Sequence, residues 1–311
     1  MKQMPVFVCD GFLDSGKTTF ILDTIANDGF KEQGHTLILA CEDGEVEYDE
    51  AFLKDNNTSI EYINDVSEMN AINLDKLTKK HKPKRILIEF NGMWDFSNVV
   101  LPEYFAIGQF VTFVDYNTFS AYFVNMKQMM VNMFKLSDVV VFINCKNKEE
   151  LQNYQTSLRL INNNASYFVF DEKGNGEIAF EEALPYDYEA DVIDVKKEDF
   201  GRFYVDTFDH KERYDGKTIS LTCMAFKSDR LPKGQFVCGR LAMTCCAQDI
   251  QLFGHLALSD LGVDIKDKDW IHIVFKMEYR YSKEYDEEEA VLHPISIEVV
   301  SCDDDPILNL S

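Results

Sequence analysis

The sequence has no apolar run long enough to cross a membrane as a helix. The best candidate, Val139–Ile143, has the length of a strand, whereas a spanning helix needs about 20 apolar residues. The N-terminus has no long apolar segment of the kind found in signal peptides, because Asp10 and Gly11 interrupt it. We therefore expect a cytoplasmic protein without membrane insertion.

Positive charge is also scarce. The 311 residues include 31 lysines and arginines against 54 aspartates and glutamates, for a formal net charge of −23. A surface of this sign repels phosphates, so binding to nucleic acid or to anionic lipid is disfavoured. The surplus of acid is typical of a soluble surface and is compatible with cation handling. Because 46% of the residues are hydrophobic, global disorder is excluded.

The sequence shows no sign of a disulfide scaffold. Eight cysteines are scattered through a long chain in which we find no secretory signal, so we expect them to be reduced thiols. They lie at positions 9, 41, 145, 223, 238, 245, 246 and 302.

Short β-branched runs alternate with helical patterns over residues 1–180, which predicts an α/β domain with a mainly parallel sheet. A polar, acidic stretch over residues 181–200 is predicted to be a connector. Short strand patterns separated by turn signals fill residues 201–311. We expect this last part to be a smaller all-β domain, an OB-like barrel.

One motif carries clear chemistry. Residues 11–18, Gly-Phe-Leu-Asp-Ser-Gly-Lys-Thr, fit the phosphate-binding pattern G-x-x-x-x-G-K-[ST], with a strand pattern before them and a helical pattern after them. The backbone amides of such a loop surround phosphate oxygens, the lysine contacts the terminal phosphates and the last hydroxyl binds Mg²⁺. The motif predicts a P-loop nucleotide-binding domain.

Three segments together resemble the CobW-like metal-chaperone P-loop GTPases of the SIMIBI class. These are the P-loop continued to Thr19, the segment Glu42-Asp43-Gly44-Glu45-Val46, and the strand Ile86-Leu87-Ile88-Glu89 with the Phe90-Asn91-Gly92 that follows it. The resemblance covers roughly residues 5–170. It implies GTP binding and hydrolysis with Mg²⁺ and a role in metal handling, zinc or cobalt, or in metallocofactor insertion.

The resemblance also assigns roles to residues. Lys17, Glu89 and Glu42 are expected to be catalytic, and Thr18 and Glu89 to hold Mg²⁺. Glu42 and Glu45 offer carboxylates to a second cation. The expected nucleotide-binding residues are Gly11, Asp14, Ser15, Gly16, Lys17, Thr18, Thr19, Gly92, Asn144, Lys146 and Asn147.

The chain departs from this family at three places. The interval Ile60 to Lys84 has no cysteine, so the family's thiolate motif is absent there. Asn147 replaces the aspartate that reads guanine, which leaves GTP and ATP as alternatives. Asp14 puts a carboxylate inside the phosphate loop, where it repels phosphate unless it points toward a partner or a cation.

The C-terminal part resembles the end of an uncharacterised, permease-associated bacterial family through its T-C-C-x-x-D segment. Cys245, Cys246 and Asp249 of that segment, near His255, are suited to Zn²⁺, while the alternative is that both cysteines are buried at a strand end. OB-like barrels bind single-stranded nucleic acid. Residues 186–311, however, carry 26 acidic against 15 basic side chains, which argues against that partner.

The sequence thus predicts a Mg²⁺-dependent nucleoside triphosphatase with GTP, or else ATP, as its substrate. Two alternatives stay open: a nucleotide-gated adaptor with weak catalysis, and a zinc-binding module centred on the barrel. Expected partners are the nucleotide, a client protein such as a metalloenzyme or a transporter, and a second copy of the chain in a homodimer.

Overall fold

The chain consists of two compact units, the first formed by residues 1–153 and 164–181 and the second by residues 154–163 and 182–311. The computed structural model describes residues 3–180, 184–243, 250–282, 286–302 and 307–308. Within these residues, no helix is both long and apolar enough to span a membrane.

The first unit is built on a sheet of eight strands in the order β3-β2-β4-β1-β5-β6-β7-β8. All neighbouring strands run parallel except β7 and β8. The strands are β1 Met4–Asp10, β2 Thr36–Ala40, β3 Thr58–Tyr62, β4 Arg85–Glu89, β5 Phe105–Asp115, β6 Val139–Ile143, β7 Ser166–Phe170 and β8 Gly176–Ile178.

Helices connect the parallel strands, as parallel pairing requires. They are α1 Lys17–Ala26, α2 Asp28–Glu32, α3 Glu50–Asp55, α4 Ala71–His81, α5 Tyr116–Asn125, α6 Lys127–Leu136 and α7 Lys148–Gln152, with 3₁₀ turns at Val66–Glu68 and Phe96–Asn98. Another helix, α8 Gln155–Ile161, follows α7 in the sequence but belongs to the second unit.

The central strand β1 lies between β4 and β5 and is buried on both faces, which explains its apolar sequence. Its register with β4 places Cys9 opposite Glu89. The carboxyl ends of the two strands therefore meet at one edge of the sheet, where ligands bind in open α/β sheets.

The second unit is formed mainly by strands. They are β9 Val192–Val195, β10 Thr218–Phe226, β11 Gln235–Met243, β12 Ile250–Leu258, β13 Asp269–Ser282, β14 Glu287–Val299 and β15 Ile307–Leu308. Strands β10, β11, β12, β14 and β13 pair in that order, and β13 pairs with β10 to close the ring. Five strands is also the number in OB-folds.

Strand β9 lies inside the segment predicted to be a connector and pairs in parallel with β10. Helix α9, Phe200–Asp209, follows 3₁₀ turn Lys197–Asp199 and precedes 3₁₀ turn Lys211–Arg213. Its Phe200 and Phe203 side chains join the core of the ring. A buried hydrogen-bond network fixes the end of α9, since the Tyr214 hydroxyl donates to Asp206 at 2.6 Å.

The cysteine prediction is wrong for one pair. Cys223 on β10 and Cys238 on β11 are both buried in this core and form a disulfide. The sequence conceals the pairing because the two cysteines lie 15 positions apart in the chain, and only the β10–β11 register brings them together. Cys9, Cys41, Cys145 and Cys302 are free thiols.

The predicted fold class is confirmed: a mainly parallel α/β domain is followed by a domain formed mainly by strands.

Candidate functional site

The P-loop wraps the start of α1. Gly16 precedes the helix with a φ of 93°, a left-handed conformation that a side chain would strain. Lys17 follows it and is only 2% exposed. Its ammonium group donates to the carbonyl oxygens of Gly11 and Phe12, each at 2.7 Å. The loop therefore closes around the lysine, with Ser15 Oγ at 3.4 Å from the same nitrogen.

Lys17 also forms a buried ion pair. Its Nζ lies 2.5 Å from Oε1 of Glu42, whose side chain is 8% exposed. Burial raises the pKa of Glu42, although the charge of Lys17 opposes that shift. Glu42 belongs to residues 42–49, which run from β2 to α3 and which we call the acidic segment. The acidic segment thus contacts the group that is expected to bind the terminal phosphates.

Glu89, at the end of β4, accepts a hydrogen bond from each of two hydroxyl groups. The Thr18 hydroxyl donates to Oε1 at 2.5 Å, and the Tyr48 hydroxyl donates to Oε2 at 2.9 Å. Glu89 is 1% exposed. The structure therefore brings together Thr18 and Glu89, the two residues predicted to hold Mg²⁺.

Gly92 lies directly against the P-loop. Its amide donates to the carbonyl oxygen of Gly11 at 3.1 Å. A Cβ atom at this position would lie 2.5 Å from the carbonyl carbon of Gly11, so any other residue would push the two loops apart. This close approach of the two backbones explains why residue 92 is a glycine.

The Asp14 carboxylate makes its hydrogen bond with the acidic segment. Oδ1 of Asp14 accepts a hydrogen bond from the backbone amide of Glu45 at 3.2 Å. Asp14 has a φ of 59°, and both Asp14 and Glu45 are exposed. The Asp14 carboxylate thus points toward a partner, the backbone amide of Glu45.

Two cavities adjoin these groups. One of about 200 Å³ lies over the P-loop and includes Asp14, Lys17 and Thr19 in its wall. The other, of about 600 Å³, lies beside Glu89, Tyr48 and Asn91. Thr18 and Glu42 line both.

The donor set fits Mg²⁺. A hydroxyl and a carboxylate are hard oxygen ligands of the kind that Mg²⁺ prefers. In the described part of the chain, no lysine or arginine forms an ion pair with Glu89, although that carboxylate is buried and borders the larger cavity. A buried carboxylate without a cationic partner is costly, and a bound cation removes that cost.

The predicted base-binding residues lie after β6. Asn144 has a φ of 55° and donates from Nδ2 to Asp115 at 3.3 Å. Asn147 caps α7, because its Oδ1 accepts from the amide of Glu149 at 3.1 Å. Lys146 lies 3.5 Å from Glu172 in an exposed ion pair and lines a cavity of about 280 Å³.

Sequence reasoning missed two residues of the site. Asp10 is 1% exposed at the end of β1, and its Oδ1 accepts from the Gly11 amide at 2.7 Å. Tyr48 binds Glu89, but a tyrosine among acidic residues matches no motif. Its contact with Glu89 becomes visible only in the fold. Tyr48 lies one residue before the cap of α3, and the fold brings it to Glu89 at the end of β4.

No cluster of three or more histidine, cysteine, aspartate or glutamate side chains with metal-binding geometry is found among the residues that the structure describes. Glu42 faces Lys17, whereas Glu45 is exposed. Cys245, Cys246 and Asp249, the predicted zinc ligands, lie outside the described residues.

Comparisons with known families divide the chain in two. Residues 5–169 match the CobW/HypB/UreG nucleotide-binding domain, and residues 170–307 match the DUF1980 C-terminal domain. The first match covers just over half of the chain. Both resemblances noted in the sequence are therefore confirmed. No curated protein matches the chain.

Two solved structures are similar to the chain at low sequence identity. The hydrogenase maturation factor HypB from Archaeoglobus fulgidus is 19% identical, with 55% of this chain and 82% of that chain covered and a TM-score of 0.39. The Zn(II)-bound YjiA GTPase from E. coli is 16% identical, with coverages of 82% and 89% and a TM-score of 0.40.

Proposed function

The chain belongs to the CobW/HypB/UreG family of nucleotide-binding domains, and from this premise we propose that it binds and hydrolyses a nucleoside triphosphate together with Mg²⁺. The observation that carries the proposal is the P-loop with Lys17 buried at its centre, next to the paired Thr18 and Glu89. Hydrolysis transfers the γ-phosphoryl group to water and leaves a nucleoside diphosphate and inorganic phosphate.

Each residue has a role set by its position. Lys17 neutralises the terminal phosphates, because its ammonium group lies at the centre of the P-loop. Thr18 and Glu89 would hold the cation through their oxygens. When bound, Mg²⁺ would supply positive charge to the terminal phosphates. Gly92 lies against Gly11 and changes position with the loop that follows β4.

The ion pair between Lys17 and Glu42 must open when a triphosphate binds, since both ligands use the same ammonium group. A phosphate carries more negative charge than a carboxylate and competes well for it. Glu42 therefore leaves Lys17 as the nucleotide enters, and the acidic segment moves with it.

Removal of Lys17 tests the proposal. Lys17→Ala alone leaves Glu42 buried without a cation, so we combine it with Glu42→Gln to protect the fold. We expect the double variant to lose nucleotide binding by at least about 100-fold, since it lacks a charge-assisted contact. Isothermal titration with GTP and ATP in Mg²⁺ measures the loss.

The single variant Glu42→Gln is the matched control. It keeps Lys17 and removes the competing carboxylate, so it is expected to bind nucleotide at least as tightly as the wild type. Wild-type affinity in the double variant, with its fold verified by circular dichroism, would contradict the assignment of the P-loop.

A nucleotide-gated adaptor with weak hydrolysis is the second candidate. The ion pair between Glu42 and Lys17 favours it, because this carboxylate competes with a terminal phosphate for the same ammonium group. Single-turnover assays separate the two candidates. Release of phosphate from bound nucleotide within minutes supports the hydrolase, and a stable triphosphate complex over hours supports the adaptor.

The biological role that we propose is metal handling, with GTP as the nucleotide, in the cytoplasm. Family membership supports this role. The strand-rich domain, which we propose to be OB-like from its ring of five strands, would serve a client protein or bind zinc through Cys245, Cys246 and Asp249. Zinc content before and after Cys245→Ser substitution tests the metal site, and light scattering with and without nucleotide tests the homodimer.

A further inference from the structure

Tyr48 provides one of the two hydroxyl donors of Glu89. The Thr18 hydroxyl occupies Oε1 at 2.5 Å, and the Tyr48 hydroxyl occupies Oε2 at 2.9 Å. One donor on each oxygen fixes the rotation of the carboxylate about its last bond. Thr18 comes from the P-loop motif itself, whereas Tyr48 comes from the acidic segment.

The ring of Tyr48 is held firmly. It packs on a core cluster that includes Ile38 and Leu53. The next residue, Asp49, caps α3 by accepting from the Phe52 amide at 2.7 Å. Both constraints leave the hydroxyl little freedom, so its contact with Glu89 is set by the fold of β2 and α3.

The direction of this hydrogen bond follows from the chemistry of the two groups. A carboxylate oxygen only accepts, so the Tyr48 hydroxyl is the donor to Glu89.

We propose that Tyr48 is a positioning residue, which orients Glu89 so that its carboxylate receives the Mg²⁺ that accompanies the nucleotide. This inference rests on the proposed function and deepens it. The acidic segment then contacts both halves of the site, Lys17 through Glu42 and Glu89 through Tyr48. Its position is linked to cation binding as well as to phosphate binding.

The test uses Tyr48→Phe, which deletes the hydroxyl and keeps the ring in the core. The measured quantity is the ratio of nucleotide affinity with Mg²⁺ to affinity with EDTA, from fluorescence titration with methylanthraniloyl-GTP or methylanthraniloyl-ATP, whichever the wild type binds more tightly. We expect the ratio to fall about tenfold, the size of one hydrogen bond to a charged group. Affinity in EDTA should change little.

Tyr62→Phe is the matched control, because Tyr62 lines the same cavity but is 51% exposed and is not among the hydrogen-bond donors described for Glu89. It should keep the wild-type ratio. A purely structural Tyr48 would lower both affinities equally, and that result, or an unchanged ratio, overturns the inference. A wild type that binds neither nucleotide overturns the proposed function instead, and the inference with it.

Discussion

At the scale of single residues, the buried carboxyl group of Asp10 contacts the P-loop and has an altered pKa. It ends the central strand and lies among Lys17, Glu42 and Asp95, whose charges all influence it. Burial raises the pKa of Asp10 to about 7, against the opposing effect of the hydrogen bond from the Gly11 amide. A carboxyl that protonates near neutral pH therefore supports the first residue of the P-loop.

Asp10 makes stability depend on pH. The pKa of Asp10 in the folded protein lies above the ordinary value of 3.8. The contribution of Asp10 to the free energy of unfolding is therefore fully present below about pH 4, where the carboxyl is protonated in both states. It is lost as the pH rises toward 7. Asp10→Asn keeps an acceptor for the Gly11 amide and never ionises. We expect the variant to match the wild type at acid pH and to exceed it at pH 8, by on the order of 4 kcal/mol. Urea unfolding across this range measures the difference.

The matched control is Asp55→Asn, at the end of α3. That position is exposed, so the same change of side chain removes a carboxylate that water already solvates. Its stability should stay within about 0.5 kcal/mol of the wild type, as is usual for a surface substitution. Parallel stability curves for the wild type and Asp10→Asn would contradict the raised pKa.

The sequence was sufficient to predict that Lys17, Thr18 and Glu89 lie together at one edge of the sheet, because the P-loop spacing and the strand ending at Glu89 locate them relative to each other. It was not sufficient for Tyr48 or Asp10. Their roles depend on which strands are neighbours, since β4 lies between β1 and β2 although it follows both in the chain. A single sequence does not contain that order.

At the scale of elements, the position of Asn147 at the start of helix α7 determines which hydrogen bonds its side chain forms. The side chain caps the helix through Oδ1, and its Nδ2 donates to Glu150 at 3.2 Å. Guanine presents two donors on its base-pairing edge, the N1–H and the exocyclic amine. An asparagine that offers one acceptor and one donor matches only half of that pattern.

Asn147→Asp is therefore expected to raise selectivity for GTP over ATP. Aspartate caps a helix as well as asparagine does, so α7 should persist. A carboxylate accepts from both guanine donors, and the ratio of GTP to ATP affinity should rise about tenfold. Competition titrations measure this ratio. Asn153→Asp, which adds the same charge at the other end of α7, controls for charge, and an unchanged ratio in Asn147→Asp would show that this loop does not read the base.

The sequence predicts which segments are helical better than it predicts where one helix ends and the next begins. The apolar, Met-rich pattern over residues 119–135 predicts one helix, but the chain forms α5 and α6 with a break at Met126. The pattern over residues 149–161 likewise predicts one helix and contains α7 and α8. Apolar spacing hardly changes across such breaks, because each helix of a pair still buries one apolar face.

At the scale of the whole molecule, the two units are stabilised by different means. The first unit contains the proposed nucleotide site, and a ligand that binds only the folded state stabilises it. The second contains the Cys223–Cys238 disulfide, whose loop of 15 residues corresponds to about 3 kcal/mol. Two separate transitions are expected, since proteins of several domains seldom unfold in one step.

Scanning calorimetry should resolve these transitions. Mg²⁺ with nucleotide should raise the unfolding temperature of the first unit, and a reductant should lower the stability of the second by about 3 kcal/mol. The double variant Cys223→Ala, Cys238→Ala should unfold at the lower temperature with or without reductant. A reductant effect of equal size in that variant would mean that the disulfide is not its cause.

Helix α8 determines where this protein can be divided. It lies in the sequence between β6 and β7, yet it packs on α9, where a Cβ on Gly201 would come within 2.8 Å of Thr156. A cut at residue 169, where the family match ends, leaves α8 on the nucleotide-binding fragment and removes it from its packing partner. The C-terminal fragment would then expose the surface of α9 at Gly201. Both units are therefore expected to be recovered from a divided gene only when the two fragments are expressed together.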